Sequence, residues 1–205
     1  MQDFCLIETL LWTREEGFFL LPEHFRRLGA SASALGFAFD EPRLRTALEA
    51  VVQPAASQRL RIRLTLAREG AHEISVEPTD PIAAETLWRV ALAKRRFSSL
   101  EPMLRHKTTR REIYEEELSR SGADEVLFLN ERDEVCEGAR TNVFLERGEL
   151  LLTPPLASGL LPGTLRARLL AEGKAREDYL ALEDFEDKSF FMGNSVRGLV
   201  RARLA

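Results

Sequence analysis

Cysteine and histidine are both scarce in this chain. Cys5 and Cys136 are its only thiols. They form neither a Cys-x-x-Cys pair nor any zinc-type spacing, so two reduced cysteines of a cytosolic protein are expected rather than a disulfide or a metal centre. His24, His72 and His106 are too dispersed to suggest metal ligation. Long apolar runs are missing as well. The stretch Phe4–Trp12 is interrupted by Glu8, which makes it too short and too charged for a signal peptide or a membrane span. An excess of positive charge is also absent. Lys and Arg total 29 against 33 Asp and Glu, a net charge of −4, and the arginines are scattered among acids. That pattern gives no ground for a nucleic-acid partner. A cytoplasmic location is expected.

What remains is ordinary globular composition, 44% hydrophobic and 30% charged over 205 residues, enough for one or two small domains with a true core. Phe4–Trp12 and Phe18–Leu21 read as a hairpin. Pro22 suits a helix start, and Phe25, Leu28, Ala32 and Leu35 recur at helical spacing up to Gly36. A second helix follows Pro42, with Leu44, Leu48 and Val51 on one face. Arg59–Leu66 alternates basic and apolar residues, the clearest strand in the chain. Ile74–Val76 and Leu87–Ala93 read as further strands.

The segment Phe97–Met103 is the best candidate boundary, giving a small N-terminal α/β subdomain over residues 1–97 and a larger one over 103–205. Beyond it the pattern predicts a helix over Thr109–Arg120. Strands follow at Glu125–Leu129, Thr141–Leu145 and Glu149–Leu152, a helix from Gly163 to Gly173, and a last strand at Ser189–Met192. Strands and helices mix without strict βαβ alternation, so the expected class is α+β in two subdomains.

Several short motifs could carry chemistry. Arg105-His106-Lys107-Thr108-Thr109-Arg110-Arg111 sets one lysine among cations, a setting that favours a nucleophilic amine. Glu137 precedes small residues and a strand and could sit against a flat ligand. Leu161-Pro162-Gly163-Thr164-Leu165 is a glycine turn opening a helix, where backbone N–H groups and the positive helix end can receive a phosphate. Asn194-Ser195 follows a strand, and Arg27 lies on the first helix. Standing alone, each is an ordinary surface feature: a solvated basic turn, a turn acid, a helix cap, a surface arginine.

Their order changes the reading. His-x-x-Arg-Leu at His24–Leu28, His-Lys-Thr-Thr at His106–Thr109, Glu-Gly-x-x-x-Asn-Val-Phe at Glu137–Phe144, Leu-Pro-Gly-x-x-Arg at Leu161–Arg166, and Phe-Met-x-Asn-Ser at Phe191–Ser195 follow one another. The chain thereby resembles fold-type IV pyridoxal-phosphate enzymes (class IV aminotransferases, with a D-amino acid aminotransferase-like fold). Among them it is most similar to aminodeoxychorismate lyases and the lyase half of fused para-aminobenzoate synthases. The likeness runs from Ile7-Glu8-Thr9 to Ser195.

By this resemblance Lys107 matches the Schiff-base lysine and Glu137 the acid that holds the pyridine nitrogen protonated. Arg27 matches the phosphate-binding arginine, joined by the amides of Thr164 and Leu165 and by Asn194 and Ser195. Leu161 matches the apolar residue on the ring face, and Asn142 the asparagine behind Glu137. Three departures stand out. Leu165 replaces a second threonine common among relatives. Glu112 stands five residues after the lysine, where branched-chain relatives carry tyrosine, while this chain has Tyr114. The N-terminal half is shorter than in most relatives.

The resemblance implies pyridoxal 5'-phosphate as cofactor, a small amine substrate, a homodimer, and 4-amino-4-deoxychorismate lyase activity yielding 4-aminobenzoate and pyruvate for folate synthesis. Arg105 and Arg197 are the candidate partners of the substrate carboxylates. Transamination of a branched-chain or D-amino acid is the alternative reaction. A non-catalytic subunit of an aminodeoxychorismate synthase is the alternative of another kind.

Overall fold

The computed structural model describes residues 4–53, 56–186 and 188–205. The chain falls into two compact units, each built on one sheet. The first runs to Pro81 and also takes in His106–Arg110; the second comprises Ile82–Arg105 and Arg111–Ala205. The boundary expected at Phe97–Met103 therefore lies inside the second unit. The reason is strand pairing: the strand Leu87–Leu92 belongs to the second sheet.

In the first unit, β1 (Leu6–Thr13), β2 (Gly17–Phe18), β3 (Arg59–Leu66) and β4 (His72–Pro78) form an antiparallel sheet ordered β2-β1-β3-β4. β3 has the bounds its alternation predicts, with Leu60, Ile62, Leu64 and Leu66 buried and the intervening residues half-exposed. Those four pack with α1 (Leu21–Leu35) and α2 (Glu41–Val52) into one core that includes Leu28, Leu44 and Leu48. Asp40 caps α2 by accepting from the Arg43 amide, and Gly36 ends α1 in the left-handed conformation that glycine adopts without strain.

The second unit holds an eight-stranded mixed sheet. Its strands are β5 (Leu87–Leu92), β6 (Glu125–Leu129), β7 (Val135–Gly138), β8 (Asn142–Arg147), β9 (Leu150–Thr153), β10 (Ala175–Glu177), β11 (Phe190–Asn194) and β12 (Gly198–Leu204), in the order β10-β9-β8-β11-β12-β5-β6-β7. Two helices accompany it, α3 (Glu112–Ser121) and α4 (Thr164–Ala171).

Three sequence expectations change here. α3 begins at Glu112 rather than Thr109, because Lys107–Thr109 run extended along β1: the Ile7 amide donates to the Lys107 carbonyl and the Thr109 amide to that of Cys5, both at 2.9 Å. Ser189–Met192 is not the last strand, since β12 follows and joins β11 to β5. No strand was expected between Leu129 and Thr141, yet Glu137 lies inside the fully buried strand β7.

Ile62 sits at the centre of the first core, opposite Leu10 and Val76. Ile62→Ala should lower unfolding free energy by about 2–5 kcal/mol, read from the urea midpoint at constant m-value.

Candidate active site

The first unit gathers its polar residues around a buried acid. Glu8 points from β1 toward one side of α1, where His24, Arg27 and Ser31 recur at helical spacing. Arg27 meets Glu8 in a fork, Nε to Oε1 at 2.9 Å and Nη2 to Oε2 at 2.5 Å, and His24 Nδ1 lies 2.6 Å from Oε2. Burial alone would raise the Glu8 pKa; the Arg27 guanidinium and the hydrogen bonds outweigh it and hold the carboxyl at about 2. Burial also lowers the His24 pKa, so His24 is neutral and its Nδ1–H donates. The charge of Lys107 adds to that lowering. Lys107 itself is fixed by its backbone on β1, and its neighbour His106 pairs with Ser31 at 3.0 Å.

In the second unit the site is built around the short connection from β7 to β8. Glu137 is 4% exposed. The Tyr114 hydroxyl donates to its Oε1 at 3.0 Å and the Leu161 amide to its Oε2 at 3.1 Å. Tyr114 is held in place by aromatic packing: its ring centroid lies 5.3 Å from Phe97 and 5.4 Å from Phe128, and the Arg111 guanidinium covers it at 4.6 Å. Burial first, then the negative charge of Glu137, raises the Tyr114 pKa well above its ordinary value, so the phenol stays a donor. The same two causes raise the Cys136 thiol, which is thereby no nucleophile.

Asn142 organises the other side. Its Nδ2 donates to the Leu161 carbonyl at 3.0 Å, so the Leu161 residue is held at both ends, by Glu137 and by Asn142. A β-carbon on Gly163 would overlap Asn142 Oδ1, which restricts that position to glycine. Gly163 is the N-cap of α4 and, being glycine, contributes no side-chain cap of its own. In the β8–β11 ladder Asn142 faces Gly193. The turn that follows is shaped by Asn194, whose Oδ1 accepts from the Val196 and Arg197 amides at 3.0 and 2.9 Å. Glu137, Asn142, the start of α4 with buried Thr164 and Leu165, and Asn194–Ser195 thus converge at one end of β8 and β11.

Arg166 anchors α4 from below, donating to the Pro154 carbonyl and to Glu177. Of the two arginines expected to meet substrate, Arg197 lies over the Trp88 ring at 5.3 Å, and Arg105 is exposed at the end of a short 3-10 turn.

Sequence reasoning did not assign Glu8, Tyr114 or Glu125 a role. A signal existed for two of them, since Glu8 and Glu125 are acids lodged in otherwise apolar strands. Tyr114 offered none, because its partner lies 23 positions away.

Residues 5–205 match the family Amino-transferase class IV. The chain belongs to that family. It is 35% identical over 184 residues to the "Putative aminodeoxychorismate lyase" of Schizosaccharomyces pombe, covering 87% of this chain and 78% of that one. The crystal structure of a "Putative amino-acid aminotransferase" from Mesorhizobium loti superposes with a TM-score of 0.94 at 44% identity, covering 99% of this chain and 100% of that one. A "putative branched-chain amino acid aminotransferase" from Thermotoga maritima superposes at 0.85 with 26% identity, covering 98% and 77%. The fold is that of class IV aminotransferases, α+β as expected, and the chain is an enzyme of this kind.

Because the folded Glu8 pKa lies near 2 against 4.5 for the free side chain, its contribution to stability is complete above about pH 4.5 and lost as pH falls toward 2, a swing of about 3 kcal/mol. Urea midpoints measured between pH 5 and pH 2.5 should fall steeply in the natural protein and less in Glu8→Gln. Parallel curves would remove Glu8 from this role.

Proposed function

We propose that this chain is a pyridoxal-phosphate-dependent 4-amino-4-deoxychorismate lyase. The observation that carries the cofactor half is the buried Glu137 carboxylate, aimed by Tyr114 and Leu161. The residues of the second unit fit the group. A buried carboxylate is the partner a protonated pyridine nitrogen requires, and α4 starts at Gly163, where a helix N-terminus offers backbone N–H groups to a phosphate. Thr164, Leu165 and Ser195 are the phosphate contacts under this reading, with Arg27 as the phosphate cation and Leu161 against the ring.

Pyridoxal phosphate, when bound, supplies an electrophilic carbonyl for the substrate amine and a ring that accepts an electron pair. Lys107 Nζ would hold the group covalently and, once freed by the substrate amine, would take the proton from the amine-bearing carbon of the substrate. The Glu137 carboxylate would hold a proton at the pyridine nitrogen. Cleavage of the enolpyruvyl C–O bond releases pyruvate after protonation, and the substrate ring becomes aromatic while keeping its nitrogen.

The lyase half rests on the S. pombe relative, similar over most of both chains, and on Glu112 at the position where branched-chain relatives carry tyrosine. Transamination is the second reading, favoured by the M. loti protein at 44% identity. Pyruvate and 4-aminobenzoate should appear one-to-one over many turnovers in enzyme freed of oxo acids. A reaction that halts after one turnover and resumes with 2-oxoglutarate would establish the transaminase instead. Borohydride reduction followed by peptide mapping should find the pyridoxyl group on Lys107; recovery solely on Lys94, Lys174 or Lys188 would overturn the lysine assignment.

A further inference from the structure

Glu125 opens β6 and is completely buried. Its carboxylate collects four donors. Oε1 accepts from the Val126 amide at 3.1 Å and the Ala139 amide at 3.0 Å; Oε2 accepts from the Arg140 amide at 3.1 Å and the Thr141 hydroxyl at 3.2 Å. Arg140 Nε adds positive charge at 3.8 Å. Ala139, Arg140 and Thr141 are the residues that separate Glu137-Gly138 from Asn142, so the whole connection between two site residues is wrapped around one side chain.

The pairing explains why. In the β6–β7 ladder Leu127 faces Gly138, so a ladder continued one and two residues further would bring residues 139 and 140 opposite Val126 and Glu125. β7 ends instead, and the Glu125 carboxylate takes the amides of residues 139 and 140. A carboxylate can accept from about four directions, and four donors meet this one. Gly138 shows how tight the fit is: a β-carbon there would lie 2.5 Å from Thr141 Oγ1, 2.6 Å from Met192 Cε and 3.1 Å from the Glu125 carboxyl carbon. The residue after Glu137 is glycine because Thr141, Met192 and the Glu125 carboxyl together occupy that space.

We infer that Glu125 is a positioning residue for the reaction: it fixes the turn that sets the direction of Glu137 and the place of Asn142. This rests on the assignment of Glu137 to the pyridine nitrogen. Glu125→Gln keeps the shape but turns one acceptor oxygen into a donor, which leaves two of the four donors facing an NH2 group. The pH titration of the bound cofactor's absorbance reads the effect, together with melting temperature and cofactor affinity. The titration midpoint should move in the same direction as in Glu137→Gln, by about half a pH unit or more. Turnover number should fall about tenfold with KM within about twofold. The double variant should show a midpoint no further displaced than Glu137→Gln alone, since both changes act through one group.

A lowered melting temperature with an unmoved midpoint, or additive displacements in the double variant, would overturn the inference. Should Glu125→Gln fail to fold, Thr141→Val removes only the hydroxyl contact and should give a smaller displacement of the same sign; none would overturn the inference. A midpoint unmoved in Glu137→Gln itself would overturn the Glu137 assignment and this inference with it. Movement in Glu137→Gln but not in Glu125→Gln overturns this inference alone.

Discussion

A carboxylate withdrawn from water costs several kcal/mol unless donors replace its hydration shell, and each compact unit of this chain is organised around acids in that condition. Glu8 is surrounded by Arg27 and His24, Glu125 by two loop amides and a hydroxyl, and Glu137 by a phenol and an amide. The requirement to satisfy each acid dictates where helices and loops stand. α1 turns its polar edge to β1, the β7–β8 connection curls onto β6, and the segment before α4 is drawn against β7. A buried acid satisfied by rigid backbone donors is also an acid with a fixed direction, and direction is what a group holding a proton at a chosen atom requires.

The same economy appears in the supporting contacts. Leu161 is bound at its amide by one site residue and at its carbonyl by another. Asn194 shapes the β11–β12 turn with its oxygen and reaches the Arg140 carbonyl with its nitrogen at 3.0 Å. Arg111 covers the Tyr114 ring and donates to the Ala139 carbonyl. The 139–141 connection is therefore gripped on its amides by Glu125 and on two of its carbonyls by Arg111 and Asn194, which leaves little freedom to the residues on either side.

How far this was legible depended on whether the signal was periodic or relational. β3 emerged with correct bounds because burial alternates along it, and α1 and α2 because apolar residues recur on one face. Lys107 and Glu137 were singled out by the order of motifs, through resemblance and not through periodicity. β7 did not emerge: Val-Cys-Glu-Gly is four residues long, buried on both faces and bears an acid, so neither alternation nor propensity announces it. The start of α3 was missed because Lys107–Thr109 satisfy their backbone on β1, a partner about a hundred positions away. Glu8 and Glu125 stood out as acids in apolar strands without showing their partners, and Tyr114 meets Glu137 across 23 positions, a pair that one chain read in order does not display.

The return of His106–Arg110 to the first unit has a kinetic side. Cys5 and Ile7 exchange backbone hydrogen bonds with Lys107 and Thr109, so one margin of the N-terminal sheet receives its last piece only after the intervening hundred or so residues have been made. Closing so long a loop carries an entropic charge that grows only as the logarithm of its length, yet contacts of such separation form late and slow the search. Until they form, the amide and carbonyl of Ile7's neighbourhood face water as an open strand edge, the arrangement most prone to pairing with another chain. Strict unit-by-unit folding from the N-terminus is thus closed to this protein: its first sheet is finished by residues synthesised after its second has begun.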